Sequence, residues 1–182
     1  NASSAIVNLS QVPLVVYPYL AAEYGLGTSF KTIGKAYKMV SNGANSMNEY
    51  FRFDENTGTY VMKDKIKTSL GKERAIRPSE KKAVGAFAPL IVEAEKRGQL
   101  TKSFILDALG LGETGKAYGN TLDKATGLSA IFFQGAERYN RQTTLLAAYE
   151  LALRKELGDF KTSSFADVAS KASQEQVSKA TE

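Results

Sequence analysis

The chain has 182 residues, 43% of them hydrophobic and 24% charged, with 24 basic against 19 acidic side chains and a formal net charge of +5. That is enough apolar material for one domain with a core, or for a compact piece of something larger. Cysteine, histidine and tryptophan are absent, which excludes disulfides, Cys/His metal centres, His-based acid/base catalysis and Ser-His-Asp triads.

The first residue is Asn1, and the chain ends in a polar run without Gly or Pro; it reads as a fragment or a processed product. No basic segment precedes the first apolar stretch, so the start does not read as a signal peptide. Residues 1 to 22 carry no charge, but the truly apolar part is Val12 to Ala22, interrupted by Pro13 and Pro18. Crossing a bilayer takes about 20 apolar residues, so no spanning helix is expected here, and attachment to a membrane surface stays open.

Within that stretch, "SQVPLVVYPYLAAEY" (10–24) predicts a first helix. Ser10 can cap it, Pro13 fits its first turn, Pro18 kinks it and Gly25 ends it. "TSFKTIGKAYKMVSNG" from Thr28 predicts a second, with Phe30, Ile33, Ala36, Tyr37 and Val40 on one stripe and Asn42-Gly43 as its stop. The period then changes. Tyr50, Phe51 and Phe53, a turn over Asp54 to Gly58, then Tyr60 and Val61 predict a small β-hairpin near residues 50–62 that must lean on helices or on another chain. Residues 64–77 are basic and weakly patterned and read as a loop or short helix.

Pro78 starts a further helix with "SEKK" in its first turn and Arg97-Gly98 at its end; Pro89 kinks or divides it. Thr101 can cap "KSFILDALG", and Gly112, Gly115 and Gly119 make a flexible connection. A long helix follows over about 118–157, with Gly127 as a candidate bend. Its one stripe holds Ile131, Phe132, Ala136, Tyr139, Thr143, Leu146, Ala147 and Glu150. From Ser164 a last amphipathic helix carries Phe165, Val168, Ala169, Ala172, Gln176 and Val177 on one side, and is expected to dock elsewhere or fray. There is no βαβ alternation and no fixed-period repeat. The predicted fold class is all-α: an irregular multi-helix assembly with one small hairpin. Residues 1–158 are expected to form a helical segment of a larger protein, and 159–182 a C-terminal amphipathic helix or tail.

Charge is unevenly placed. Residues 61–100 hold ten basic and five acidic groups, whereas 1–60 and 101–182 are balanced. The dense part is Lys63, Lys65, Lys67, Lys72, Arg74, Arg77, Lys81 and Lys82. Such a cluster can neutralise phosphates or face an acidic partner, although a solvated loop is the commoner outcome. Tyr50, Phe51, Phe53 and Tyr60 border it and could stack on bases, but core is the more frequent role.

Other motifs fall short. "GETGK" has two residues between its glycines where a Walker motif needs four, and Ala117 follows the lysine. "DENTG" is too short for a calcium loop. In the long helix, Glu137 and Arg141 stand four apart with the acid first, as do Asn140 and Thr144. With Tyr139 these groups can fix helix register, because an amide buried unpaired costs a few kcal/mol. Glu137 as a general acid lacks a partner carboxylate. No catalytic, cofactor or metal residue is therefore assigned.

Three segments together are similar to very large internal virion proteins of tailed bacteriophages. "NLSQVPLVVYPYLAAEYG" resembles their entry "NLxQ…P…LAxxYG". "EKKAVGAFAPLIVEAEKRGQLTKSFILDALGLG" is similar to their helix-Gly-helix spacer. "FFQGAERYNRQTTLLAAYELAL" resembles "AExxNRxxTxLAAYxLA", the match falling on Ala136, Glu137, Asn140, Arg141, Thr144, Leu146, Ala147, Ala148, Tyr149, Leu151 and Ala152. The segments cover about half the chain in the same order; the hairpin and basic stretch have no counterpart.

The resemblance implies a structural segment of an ejection or polyvalent protein, packaged in the virion interior and released into the host cell envelope. It would act by helix association in a multi-copy assembly with itself, the portal or other ejection proteins, with DNA and a transient membrane contact as further candidate partners. Alternatives from the same comparison are an accessory domain of a virion RNA polymerase, or a cell-wall-degrading enzyme whose active site lies elsewhere. A membrane-active module using residues 1–22 is the last.

Overall fold

The computed structural model describes residues 10–42, 50–57, 59–67, 72–97 and 121–181, without the side chains of 42, 53, 59, 94–96, 121–135, 137 and 138. It is mostly helical, with two small antiparallel sheets. The order is a π-helical turn (Val12–Val16), α1 (Tyr17–Tyr24), α2 (Leu26–Asn42), β1 (Phe51–Asp54), β2 (Thr59–Met62), β3 (Lys65–Lys67) and β4 (Glu73–Ala75). Then follow α3 (Pro78–Gly85), α4 (Ala88–Lys96), α5 (Thr121–Leu157), α6 (Phe165–Ala169) and α7 (Gln174–Thr181).

The predicted kink at Pro18 takes the form of that π turn. Pro18 has no N–H, and its ring would strike the carbonyl four residues back in a regular helix; a widened turn just ahead of it is a known way to absorb such a residue. Gly25, at φ 87°, ends α1, and its carbonyl accepts the Ser29 N–H at 3.0 Å to open α2. A side chain is disfavoured at that φ. In α2 the buried residues are Ser29, Thr32, Ile33 and Ala36. Phe30, expected on the apolar stripe, is 70% exposed. Small side chains let α2 sit closely on α5, and the stripe turns toward them.

The hairpin near 50–62 is present, with Phe51 opposite Met62 and Asp54 opposite Thr59. Asp54 Oδ1 accepts the Asn56 N–H at 3.1 Å, an Asx turn that closes the loop. The second hairpin corrects the expected all-α class with a single hairpin: Lys65 pairs with Ala75 and Lys67 with Glu73, where a loop or short helix was predicted. Ile66 is buried between exposed Lys65 and Lys67. That is period-two alternation compressed into three residues, too short to stand out in a basic stretch.

Pro89 divides its helix as predicted, into α3 and α4, with Phe87 buried at the joint. The segments at 101–110 and the glycine connection lie outside the described residues. Helix α5 is continuous through Gly127 and is the spine of the molecule. It packs against α2, the π turn, α4, α6 and α7. From Leu146 to Arg154 it buries Leu146, Ala147, Tyr149, Glu150, Leu151, Leu153 and Arg154. At 100° per residue those positions span about half of the helix circumference, wider than the single predicted stripe, with Leu145, Ala148 and Ala152 half-buried beside them. Tyr149, Phe87 and Phe165 form the aromatic centre, with ring centroids 4.7 to 6.0 Å apart.

A Schellman motif stops α5. Gly158 (φ 65°) donates to the Lys155 carbonyl and Asp159 to that of Arg154. The chain then folds back, so the tail expected to dock elsewhere packs on its own spine through Phe165 and Val168. It forms two helices rather than one. Ser164 caps α6 through the Asp167 N–H. Ser173 and Gln176 make a reciprocal capping box at α7, at 3.3 and 2.9 Å.

Candidate functional site

The polar cluster of α5 lies where helices meet. The Tyr139 hydroxyl donates to the Tyr37 carbonyl of α2 at 3.1 Å, and the two rings stand 5.3 Å apart. Asn140 is buried, Thr144 half-buried and Arg141 exposed. These three line a hollow of about 460 Å³ with Gln11, Val12 and Val16. An amide, a guanidinium and a hydroxyl can bind and orient, but none is a carboxylate for acid/base work. The side chain of Glu137, and with it the expected pair to Arg141, lies outside the described residues. Ser29 and Thr143 add hydroxyls to the buried helix surfaces, and neither finds a hydrogen-bond partner among the described residues.

The eight predicted basic residues divide into two groups. Arg74 is held by Glu80 in a two-pronged pair, Nη1 to Oε2 and Nη2 to Oε1, both 2.7 Å. Lys81 pairs with Asp64 and Lys82 with Asp167, each at 2.7 Å. Those three therefore spend charge within the chain. Lys65, Lys67, Lys72 and Arg77 are exposed and Lys63 is half-buried; they make no ion pair among the described residues. Tyr50 and Phe51 are core, and the Tyr50 hydroxyl donates to Glu80 Oε1, so neither ring is a free stacking platform.

Glu80 organises this corner. Besides Arg74 and Tyr50 it accepts the Arg77 N–H at the start of α3, at 3.4 Å. The Arg74 bonds hold its carboxyl down at about 2, well below the usual carboxylate range, against the opposing effect of partial burial. Both oxygens are thus occupied and ionised at neutral pH.

Around Glu80 opens a hollow of about 560 Å³ between α2, β4 and α3. Lys35 and Lys38 enter from α2, Arg74 and Arg77 from the opposite wall, and Met39 and Val84 contribute apolar floor. Lys35 Nζ donates to the Ser163 carbonyl at 3.2 Å, which positions it without neutralising it. Lys35 and Lys38 were not among the predicted residues. Their signal is "KTIGKAYK", which sets Lys31, Lys35 and Lys38 along one flank of an amphipathic helix. Glu49, Asp54 and Glu55 cancelled it in the regional charge balance.

Sequence reasoning also missed the Glu150–Arg154 pair, at 2.9 Å with side chains only 5% and 4% exposed. Arg154 Nη1 further donates to the carbonyls of Asp159 (3.0 Å) and Thr162 (2.8 Å), pinning the fold-back after α5. The available signal was two opposite charges four apart inside the apolar run "YELALR". Asp159 completes that turn. It accepts from the Thr162 hydroxyl and N–H, which hold its carboxyl at about 2.

Among the described residues there is no cluster of three or more possible metal-ligating side chains, and no helix is long and apolar enough to cross a membrane. Compared with protein-family models, curated proteins and solved structures, the chain shows no match.

Proposed function

We propose that this chain is a structural segment of a phage internal virion protein, packaged in the virion and released into the cell envelope, and that it works by helix association in a multi-copy assembly. The observation that carries the proposal is a set of large apolar side chains, exposed among the described residues, on the π turn, α1 and α2. Leu14 is 71% exposed and Phe30 70%, and Val15, Tyr19 and Leu26 are similarly open. Residues 10–22 carry no charge. A large apolar side chain left in water forgoes about 1.5–3 kcal/mol, and clustered exposure of this kind marks an interaction surface. The stretch that carries this face also resembles the entry segment of those virion proteins. The self-complementary occupant is the same face on a second copy, which brings no charge to desolvate. The segment itself is assigned no catalytic role.

Sedimentation equilibrium of the chain and of the Leu14→Glu/Phe30→Glu variant tests this. The wild-type chain associates with rising concentration, and the variant stays monomeric with an unchanged circular dichroism spectrum. A wild-type chain that remains monomeric at its solubility limit overturns the proposal. So does flotation of the monomer with lipid vesicles, which would assign the same face to a membrane surface.

A further inference from the structure

We infer that the hollow between α2 and the start of α3 is a seat for the phosphates of a nucleic-acid strand. It is independent of the association proposed above. Four cations from three elements converge on one space: Lys35 and Lys38 on α2, Arg74 on β4 and Arg77 ahead of α3. The facing carboxylate, Glu80, has both oxygens filled by Arg74, the Tyr50 hydroxyl and the Arg77 N–H. Its charge offsets that of Arg74, so the net positive charge facing the hollow comes from Lys35, Lys38 and Arg77, with the Arg74–Glu80 pair as a fixed wall. Lys38 and Arg77 are exposed and make no ion pair among the described residues.

The fixed wall distinguishes this place from a solvated lysine patch. Arg74 is clamped, and Lys35 is tethered to the Ser163 carbonyl at 3.2 Å. An anion entering the hollow meets cations whose positions are partly set in advance, which lowers the ordering cost of binding. The lining has cations and a hydroxyl (Ser79) but no free aromatic face. Such a set contacts backbone phosphates and not bases, so recognition is insensitive to sequence and steeply dependent on salt. Exposed Lys65, Lys67 and Lys72 lie on the neighbouring hairpin. They extend the positive surface beyond one phosphate, and an extended polyanion uses both where a small anion uses only the hollow.

The test is fluorescence anisotropy of a labelled mixed-sequence oligonucleotide of about twenty nucleotides, titrated with the 182-residue chain at several salt concentrations between about 50 and 200 mM. Lys38→Gln/Arg77→Gln should weaken binding about tenfold or more at the low end. The slope of log K against log salt should fall by about 0.7 for each lost contact to a single strand, or about 0.9 to a duplex. Lys171→Gln, far along the chain, is the control and leaves the slope alone. Arg74 and Glu80 are kept, because they hold the fold. The inference fails if the oligonucleotide does not bind at low salt. It fails equally if the loss follows Lys65→Gln/Lys67→Gln and not the hollow variant. Inorganic phosphate that displaces the strand at micromolar concentration would make this a small-anion site and overturn the strand assignment. Capture by phosphatidylserine vesicles with no oligonucleotide binding would also overturn it.

Discussion

Arg154→Met is the sharpest probe of how this fold is held. The wild-type guanidinium satisfies Glu150 at 2.9 Å and two loop carbonyls at 3.0 and 2.8 Å, in a site where both charged side chains are almost wholly buried. Removing one partner of a buried pair leaves the other charge in low dielectric, which costs about 3–5 kcal/mol. The Asp159 and Thr162 carbonyls lose a donor as well, at about 1–3 kcal/mol each when water cannot replace it. They lie at a half-exposed turn, so the lower end applies, about 1 kcal/mol each, and the total should be about 5–7 kcal/mol. The double variant Glu150→Leu/Arg154→Met removes the stranded carboxylate and should recover about 3–5 kcal/mol, leaving the carbonyl cost of about 2 kcal/mol behind. Urea denaturation read by circular dichroism supplies both numbers. A loss below about 1 kcal/mol for the single variant would refute the reasoning. So would a double variant no more stable than the single one, since the carboxylate could then not be the source of the cost.

Two further outcomes follow from the titrating groups. The folded-state Glu80 carboxyl sits at about 2 against an ordinary 4.5, so its stabilisation is complete above the ordinary value and is lost as pH falls between the two. The shift corresponds to at most about 3 kcal/mol. In Glu80→Gln the loss of stability between about pH 5 and about pH 2.5 should shrink by about 2 kcal/mol, and identical acid titrations of the two proteins would rule this out. Burial raises the Tyr149 hydroxyl to about 12, and that oxygen has no hydrogen-bond partner among the described residues. Tyr149→Phe should therefore be neutral or stabilising by up to about 1 kcal/mol; destabilisation by more than that in the same urea assay would reveal a partner.

The helical elements were legible because their signals are local and redundant. Pro78, Pro89 and the 3.6-residue spacing each point to the same boundaries, and Gly25 and the glycine after α5 stand where helices must stop. The second hairpin was not legible, because Ile66 is a lone apolar residue between lysines and its strand partner lies across residues 68–71. Three residues of alternation cannot be told from a loop. The tail was misjudged for a different reason: Ala169, Ala172 and Gln176 fit one helical stripe, and only the Ser173–Gln176 capping box reveals that a new helix starts there. At the candidate sites, residue type was easier to foresee than availability. Arg74 and Arg77 are alike in sequence, yet a carboxylate six residues downstream of Arg74 clamps it while Arg77 stays open.

Helix α2 ties the proposed association face and the basic hollow to one scaffold. At 100° per residue its buried positions, Ser29, Thr32, Ile33 and Ala36, make a single stripe. Leu26 and Phe30 project from one flank of that stripe, Lys35 from the other, and Lys31 and Lys38 from the outer face beside Lys35. The α5 spine covers the stripe itself, so the helix cannot rotate to exchange flanks without exposing Ile33 and burying lysines. Burying an unpaired ammonium costs several kcal/mol, more than any exposed apolar contact returns, which makes the placement one-way. An apolar partner on the Phe30 flank therefore leaves the cationic flank facing solvent. Copies joined through Leu14 and Phe30 would each still present a basic hollow, and phosphate contacts would multiply with the number of copies instead of competing with assembly.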